Sequence, residues 1–528
     1  MPAAKLIAPR VGIEYLAHQE EGVRWMVERE AEDAATCRGG ILADDMGLGK
    51  TFQTIGLLKN SPLALRTLIV CPPALIASWT EELRACGYAV ATLMQSSSWS
   101  PTVDGSPTVW LTTYPKACMY FTTLARQEFG RVVLDEGHVI RNGKATSRWA
   151  AMMVLTRDTT CRWILSATPV QNGVSDWKNL CAWLRVKGPD GEIGETIMLR
   201  RTMNELREAI AALPAPPRFV AHDLSIPATG ATAPECKLFR ALCDQLNSVM
   251  DRRSVSALIK LELYMRIQQF LVHPQIYIDS MRAKFKGAYP RPDWTGSATK
   301  WTAVMREVVR GVAAKKSTIV FCNFRQEMDR VVTTMERMRV PVFAVRGGMG
   351  TDKVGAAVSE AREAAARGPV VVVVQIVSGG AGLNLQFCSR ILFLSQHWNP
   401  AVVHQAVGRA VRIGQKEVVE VHMFRVVDDV IDNLDRRMVD VHLAKIEKAK
   451  EICESLYEGF APLDAIPSIY TAADHLADAE DEDEEDLEDV SDKGDHDAFL
   501  NPVDAVSETL EARHRPTALD AVTGDDPQ

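Results

Sequence analysis

The sequence predicts an α/β protein: two parallel-sheet domains in tandem, with a helical insertion between them and a disordered acidic C-terminal tail. Three observations lead there. Short aliphatic runs alternate with amphipathic stretches in two separate sets, the pattern of strands joined by crossover helices. The 528 residues exceed one ordinary domain and suggest about three folded units. Residues 478–497 hold thirteen acids against the single base Lys493, a composition too charged to bury a core.

In the first set, 40–43, 67–71, 108–112, 131–134 and 162–165 read as buried strands, each ending where a polar motif begins. Ligands of parallel sheets bind beyond the carboxyl ends of their strands, which is where these motifs fall. The second set comprises 317–321, 341–345, 369–374 and 390–394. Between them Pro214-Ala-Pro-Pro217 closes one region, and about eighty residues of mostly helical pattern follow. The division is therefore 1–205 for the first domain, 206–295 for the insertion, 296–447 for the second domain, and 448–528 for a helical extension and the tail.

Composition narrows the classes of function. An apolar fraction of 47% and a charged fraction of 24% are those of a globular protein, and no aliphatic run approaches the roughly 20 residues that span a bilayer, so no membrane association is expected. The net charge of -8 is uneven: segment 478–497 contributes -12, leaving +4 on the remainder, a mildly basic body. None of the eleven cysteines forms a C-x-x-C pair, which fits structural thiols in a reducing compartment.

The strand at 40–43 runs into Asp44-Asp-Met-Gly-Leu-Gly-Lys-Thr51, and a helix opens near Lys50. This order offers backbone N–H groups to phosphate oxygens. Asp45, Met46, Gly47, Leu48 and Gly49 form the cradle for ATP, Lys50 supplies a point charge to the outer phosphates, and the Thr51 hydroxyl is suited to Mg²⁺. Asp44 stands where the generic phosphate loop has its first glycine. At the end of another apolar strand come Asp135-Glu-Gly-His138, adjacent acids that would be costly there without a metal or a reacting water. Asp135 is expected to hold Mg²⁺ through water and Glu136 to orient or deprotonate the attacking water. His138 either links this site to the next motif or is a structural histidine. That next motif, Ser166-Ala-Thr-Pro169, suits a loop in which Ser166 and Thr168 sense the phosphate site and touch the neighbouring domain. In the second set, Gln405 opens an eleven-residue motif ending at Gln415, a coupling position; it carries Arg409 and Arg412, on one face if helical, as arginine fingers or as grips on DNA phosphate.

In order and wording these motifs resemble the SWI/SNF family of helicase superfamily two, over roughly residues 10–440. The resemblance implies two RecA-like domains, ATP and Mg²⁺ as cofactors, and double-stranded DNA held through its backbone without regard to sequence. His18-Gln19 with Gly22-Val-Arg-Trp25 resembles the Q motif, implying that Gln19 reads the adenine edge. Cys71-Pro-Pro73 with Ser78-Trp79 resembles motif Ia, Thr112-Thr-Tyr114 motif Ib, Leu199-Arg-Arg-Thr202 the element after motif III, and Gln268 to Pro274 the helix before the second domain. Val320-Phe-Cys-Asn323 resembles motif IV, the run from Ser378 to Leu385 motif V, and Trp398-Asn-Pro400 the W-N-P signature. By this likeness Ser78, Thr113, Asn323, Ser378 and Gly379 lie near the DNA backbone, while Trp79 and Trp398 read better as core aromatics.

The closest wording is that of the branch containing the helicase-like transcription factor and transcription termination factor two. A zinc-binding RING finger found in many of its members needs eight ligands, whereas 188–296 offers Cys236, Cys243, His222 and His273, so no zinc is expected. Departures are Gly408 and Val411, where the family usually has Asp and His, and Ser395-Gln396-His397, where it usually has an acid. Nuclear residence is implied by the resemblance, and a viral or bacterial member working elsewhere is compatible with it. A DNA-dependent ATPase that translocates on duplex DNA is the primary reading. The alternatives are a strand-separating helicase, a scaffold whose motor has decayed, and an adaptor recruiting histones or other basic proteins through the acidic tail.

Overall fold

The computed structural model describes residues 6–32, 38–63, 65–93, 108–171, 174–186, 196–250, 252, 256–376, 383–395, 397 and 399–426. Ser378, Gly379, Trp398 and the acidic tail therefore lie outside the described residues.

The first half runs α1 (Ala17–Ala31), β1 (Arg38–Leu42), α2 (Lys50–Asn60), β2 (Thr67–Cys71), α3 (Ile76–Ala85), β3 (Ala89–Thr92), β4 (Thr108–Thr113), α4 (Tyr114–Met119), α5 (Phe121–Ala125), β5 (Arg131–Asp135), α6 (Ser147–Leu155), β6 (Cys161–Leu165), α7 (Val174–Leu184), β7 (Met198–Leu199) and α8 (Met203–Leu206). Its seven strands pair in parallel in the order β3-β4-β2-β5-β6-β1-β7. The aliphatic run of β2, Thr-Leu-Ile-Val-Cys, is buried along its length because helices cover both faces of the sheet. One face packs Leu68, Val70 and Ile164 against Trp149 of α6 and Trp177 of α7; the other packs Ile69 and Trp163 against Met26 of α1, Ile55 of α2 and Trp79 of α3.

The second half contains β8 (Arg218–Leu224), α9 (Ala233–Met250), α10 (Ala257–Val272), α11 (Pro274–Lys284), α12 (Thr299–Ala313), β9 (Thr318–Cys322), α13 (Arg325–Arg337), β10 (Val342–Val345), α14 (Thr351–Ala365), β11 (Val371–Gln375), β12 (Arg390–Phe393), α15 (Pro400–Val407) and β13 (Glu420–Val426). Its sheet is also parallel, in the order β10-β11-β9-β12-β13-β8.

All nine expected strands form, with ends shifted by no more than two residues. Four more are present: β3, β7, β8 and β13. β8 is a strand within 206–295, read from the sequence as largely helical: it pairs with β13 from Arg218↔Glu420 to Leu224↔Val426 and is the edge of the second sheet. Its burial is partial along its length, as suits an edge strand. Helices α9, α10 and α11 do form a helical insertion, with a core around Phe239, Phe270 and Tyr277.

A buried polar chain crosses the α12 side of the second sheet. Arg390 donates to Glu307 Oε2 at 3.0 Å and to His422 Nε2 at 2.9 Å, and His422 Nδ1 lies 2.9 Å from His222 Nε2. A guanidinium only donates, so His422 accepts on Nε2, carries its proton on Nδ1 and donates to His222.

Candidate nucleotide site between the two sheets

Loops at the carboxyl ends of β1, β5 and β6 converge, and the turn after α15 meets them from the second half. The phosphate loop bends through Gly47 and Gly49, both at positive φ (88° and 84°), and hands its chain to α2 at Lys50. The Lys50 Nζ donates to the carbonyls of Asp44 and Asp45 at 2.6 and 3.2 Å, which holds it at the mouth of the loop. Burial pulls its pKa down, and the nearby Glu136, Asp44, Asp135 and Asp45 carboxylates only partly offset this. Thr51 follows in the first turn of α2.

Asp44 explains its own departure from the glycine pattern. Fully buried, it accepts from Arg201 Nε at 3.0 Å and Nη2 at 2.6 Å, and from Gln53 Nε2 at 2.9 Å. Arg201 also donates to Gln53 Oε1 and the His18 carbonyl. Arg200 ties the carbonyls of Ala43 and Ala167 together and lies 3.6 Å from Asp45 Oδ1. The two arginines thus clamp the loop from behind. The resemblance implies no role for either arginine, yet the signal is in the sequence: two adjacent arginines after a short strand need buried acids, and Asp44-Asp45 supplies them.

Asp135 ends β5 with its carboxylate buried. It accepts from Trp79 Nε1 at 2.8 Å and from the Glu136 backbone N–H at 3.0 Å, while the Tyr114 hydroxyl donates to its carbonyl at 2.9 Å. Trp79 is therefore a core aromatic, as read, and also a donor to the site. Burial and the adjacent Glu136 charge push Asp135 above the usual carboxylate range. Burial acts on Glu136 in the same sense, but the His138 contact and the Lys50 and Arg409 charges outweigh it and hold Glu136 low. Glu136 has left-handed backbone angles (φ 53°, ψ 43°), a conformation that costs a non-glycine residue about 1–3 kcal/mol and turns its side chain out of the strand direction. Its Oε2 is buried, 3.4 Å from His138 Nδ1, and has no hydrogen-bond partner among the described residues. A water or metal-bound oxygen would satisfy it, so the acids fit an ion held through water.

His138 Nδ1 is also 3.1 Å from Ser166 Oγ, which accepts from the Thr168 backbone N–H at 3.3 Å. A hydrogen-bonded path thus runs from His138 of the second motif to Ser166 and Thr168 of the third. From the second half come Arg409 and Arg412. They are not on a helical face: α15 ends at Val407, because Gly408 opens a turn, and the arginines project from it. Arg409 is buried, and its Nε has no hydrogen-bond partner among the described residues. Burial lowers its pKa, and the facing Glu136 and Asp135 raise it. A Cβ added at Gly47 would stand 3.3 Å from Arg412 Cγ, and one at Gly408 would stand 3.1 Å from Met46 Cβ, so the turn and the phosphate loop are in close contact. Gly408, where the resemblance leads one to expect Asp, allows that approach. Gln405 lies half-buried on α15.

Gln19 is against the phosphate loop, its amide between the Leu16 N–H (3.2 Å) and the Leu48 carbonyl (3.3 Å). Ser78 is exposed on α3. Thr113 is buried, and its hydroxyl accepts from Lys116 N to cap α4, a use the sequence did not suggest. Asn323 follows β9, its N–H donating to Glu327 Oε2 at 2.8 Å.

Residues 18–189 match the SNF2-related domain, and residues 299–414 match the Helicase conserved C-terminal domain. The chain is 27% identical over 455 residues to the "Probable global transactivator" of Orgyia pseudotsugata multicapsid polyhedrosis virus, covering 80% of this chain and 88% of that protein. It is 24% identical to the "DNA repair and recombination protein RAD54-like" of Drosophila ananassae, over 76% of this chain and 58% of that one, and 24% identical to the "ISWI chromatin-remodeling complex ATPase CHR17" of Arabidopsis thaliana, over 77% and 40%. The chain thus spans little more than half of the RAD54-like relatives' length. A solved structure described as the Sulfolobus solfataricus SWI2/SNF2 ATPase core in complex with dsDNA is 22% identical, covering 87% of this chain and all of that one, with a TM-score of 0.36. Among the described residues no helix is long and apolar enough to cross a membrane.

Proposed function

This chain belongs to the SNF2-related ATPases of helicase superfamily two and is a DNA-dependent ATPase, and from that premise we propose that it is a translocase on double-stranded DNA that remodels proteins or repair and transcription intermediates bound there. The observation that carries the reading is the pair Arg409 and Arg412, brought from the second half against the phosphate loop and Glu136, with the buried Arg409 Nε unpaired among the described residues. A buried guanidinium with an N–H left unpaired suits a phosphoryl group that accumulates charge during transfer.

In the proposed cycle the N–H groups of 45–49 cradle the phosphates, Lys50 exchanges its carbonyl partners for the outer phosphates, and Gln19 contacts the adenine. Thr51 and Asp135 would hold Mg²⁺, which supplies charge neutralisation at those phosphates. Glu136, kept ionised by His138 and its cationic neighbours, accepts a hydrogen bond from the attacking water and takes its proton. Arg409 and Arg412 stabilise the transferring group only while the two sheets are closed, so hydrolysis and release alternate closure with opening. Duplex DNA is gripped through its phosphates by Ser78, Thr113, Asn323, Ser378 and Gly379, which suits stepping along any sequence. Segment 478–497 has two readings, a solvated, solubilising extension or a contact for histones or other basic proteins, and deletion of 478–528 separates them: loss of basic-protein binding with ATP turnover unchanged supports the second. We further infer a nuclear site of action.

The test is steady-state ATP hydrolysis without nucleic acid and with single-stranded DNA, duplex DNA or RNA, alongside Lys50→Ala. Strong stimulation by duplex DNA, absent in the variant, supports the translocase. Preference for single strands replaces it with a strand-separating helicase.

A further inference from the structure

Besides the contact between phosphate loop and arginine turn, a side-chain hydrogen bond joins the two halves: Asn399 Nδ2 donates to Gln171 Oε1 at 3.2 Å. Both amides have their orientation fixed by other partners. Asn399 Oδ1 accepts from the Ala401 N–H at 3.0 Å, as the N-cap of α15, which leaves its NH₂ to face outward. Gln171 Nε2 lies 3.0 Å from Thr168 Oγ1 and 3.4 Å from the Thr168 carbonyl, which only accepts, so its oxygen faces Asn399. The Gln171 backbone N–H is anchored by the buried Asp176 at 2.9 Å.

On the first side the contact continues through Thr168 to Ser166, His138 and Glu136. On the other side it is the start of α15, a strut about 12 Å long at 1.5 Å per residue, whose far end carries Arg409 and Arg412. Both ends of the strut therefore rest on the first half, one at Gln171 and the other at Met46 and Gly47.

We propose that Gln171 and Asn399 are positioning residues that seat α15, so that Arg409 reaches the phosphate site only when the loop carrying Ser166 and Thr168 is in the arrangement seen here. The inference rests on Arg409 acting as the group that completes the hydrolytic site. Its consequence is that the state of Glu136 and its water is reported to the second domain through the amide pair, and that the arginines are withdrawn when the pair parts.

The full chain should be assayed as Gln171→Met, which keeps the side-chain length but removes the acceptor, as Asn399→Ser, which still caps α15 but is too short to reach Gln171, and as the double variant. Each is also made in an Arg409→Ala background. Loss of one hydrogen bond of ordinary strength predicts a kcat about five- to tenfold lower in each single variant, with KM for ATP changed less than about twofold. The double variant should be no slower than the worse single one, and neither substitution should slow Arg409→Ala further. Unfolding temperatures should match the parent, since the cap is retained; a lowered one with a normal kcat would mean a merely structural contact. Unchanged kcat in both single variants, or effects that multiply in the double variant or persist without Arg409, overturns the proposal. An Arg409→Ala protein of normal turnover overturns both this inference and the mechanism beneath it. Absence of stimulation by duplex DNA in the parent removes only the translocase reading, because the amide pair is then read on basal turnover.

Discussion

Removing the guanidinium of Arg201 strips the fully buried Asp44 of its charge partner. Arg201→Met keeps much of the side-chain volume, deletes both bonds to Asp44 and the one to Gln53, and leaves a fully buried carboxylate facing a thioether. Breaking a buried pair by removing one partner costs about 3–5 kcal/mol. At about 2–4 °C per kcal/mol for a domain of this size, the first domain should melt roughly 6–20 °C lower. Asp44→Ala combined with Arg201→Met removes the orphaned charge, so the double variant should regain about 2 kcal/mol or more relative to the sum of the single ones, a coupling of the size found for residues in direct contact. Differential scanning calorimetry and urea titration of the four proteins give the cycle. Because Lys50 is tethered to the Asp44 carbonyl, KM for ATP should rise in Arg201→Met and partly recover in the double variant. A single-variant loss under about 1 kcal/mol, or additivity within about 0.5 kcal/mol, would refute the view that the ion pair takes the place of the missing glycine as the loop's anchor.

Three further outcomes are expected. Glu136→Gln should bind ATP with near-normal affinity and hydrolyse it about 10² to 10⁴ times more slowly, measured by single-turnover kinetics; normal turnover would remove Glu136 from the chemistry. Arg409→Ala should lower kcat by about 10³ or more while leaving nucleotide binding, followed by fluorescence titration, little changed. Stability of the second domain should fall on mild acidification: burial and the Arg390 charge hold His422 down to about 4, below the 6.5 of its unfolded form. Between those values the unfolded chain binds the extra proton, so folding weakens as pH drops from about 6.5 toward 4, and His422→Gln should flatten urea midpoints over that window.

The strands were legible because a parallel sheet covered on both faces needs continuous aliphatic runs, and β2, β5 and β11 have them. β8 was not, since Arg218-Phe-Val-Ala-His-Asp-Leu224 is a half-exposed edge whose polar residues look like a linker. Of the site, the positions of Lys50, Asp135 and Glu136 at strand ends were legible because glycine loops and paired acids there have few structural explanations, whereas His138 stayed open between a link and a structural histidine. Whether the segment holding Arg409 is helical stayed open in the sequence, because Ala406, Val407, Ala410 and Val411 continue the apolar period of α15, and only the break at Gly408 ends it. Gln171 and Asn399 were invisible as a pair: nothing local to either residue signals a partner 228 positions away.

β8 also has a bearing on how the chain is made. It emerges directly after the first domain, yet its partner β13 lies about 200 residues further on. At ribosomal rates of about 5–20 residues per second, that is roughly 10–40 s during which the segment has no ladder to join. The alternation that hid it from sequence reading, with Arg218, His222 and Asp223 along its length, is then a protection, because a nascent strand that waits so long must not pair with the wrong neighbour.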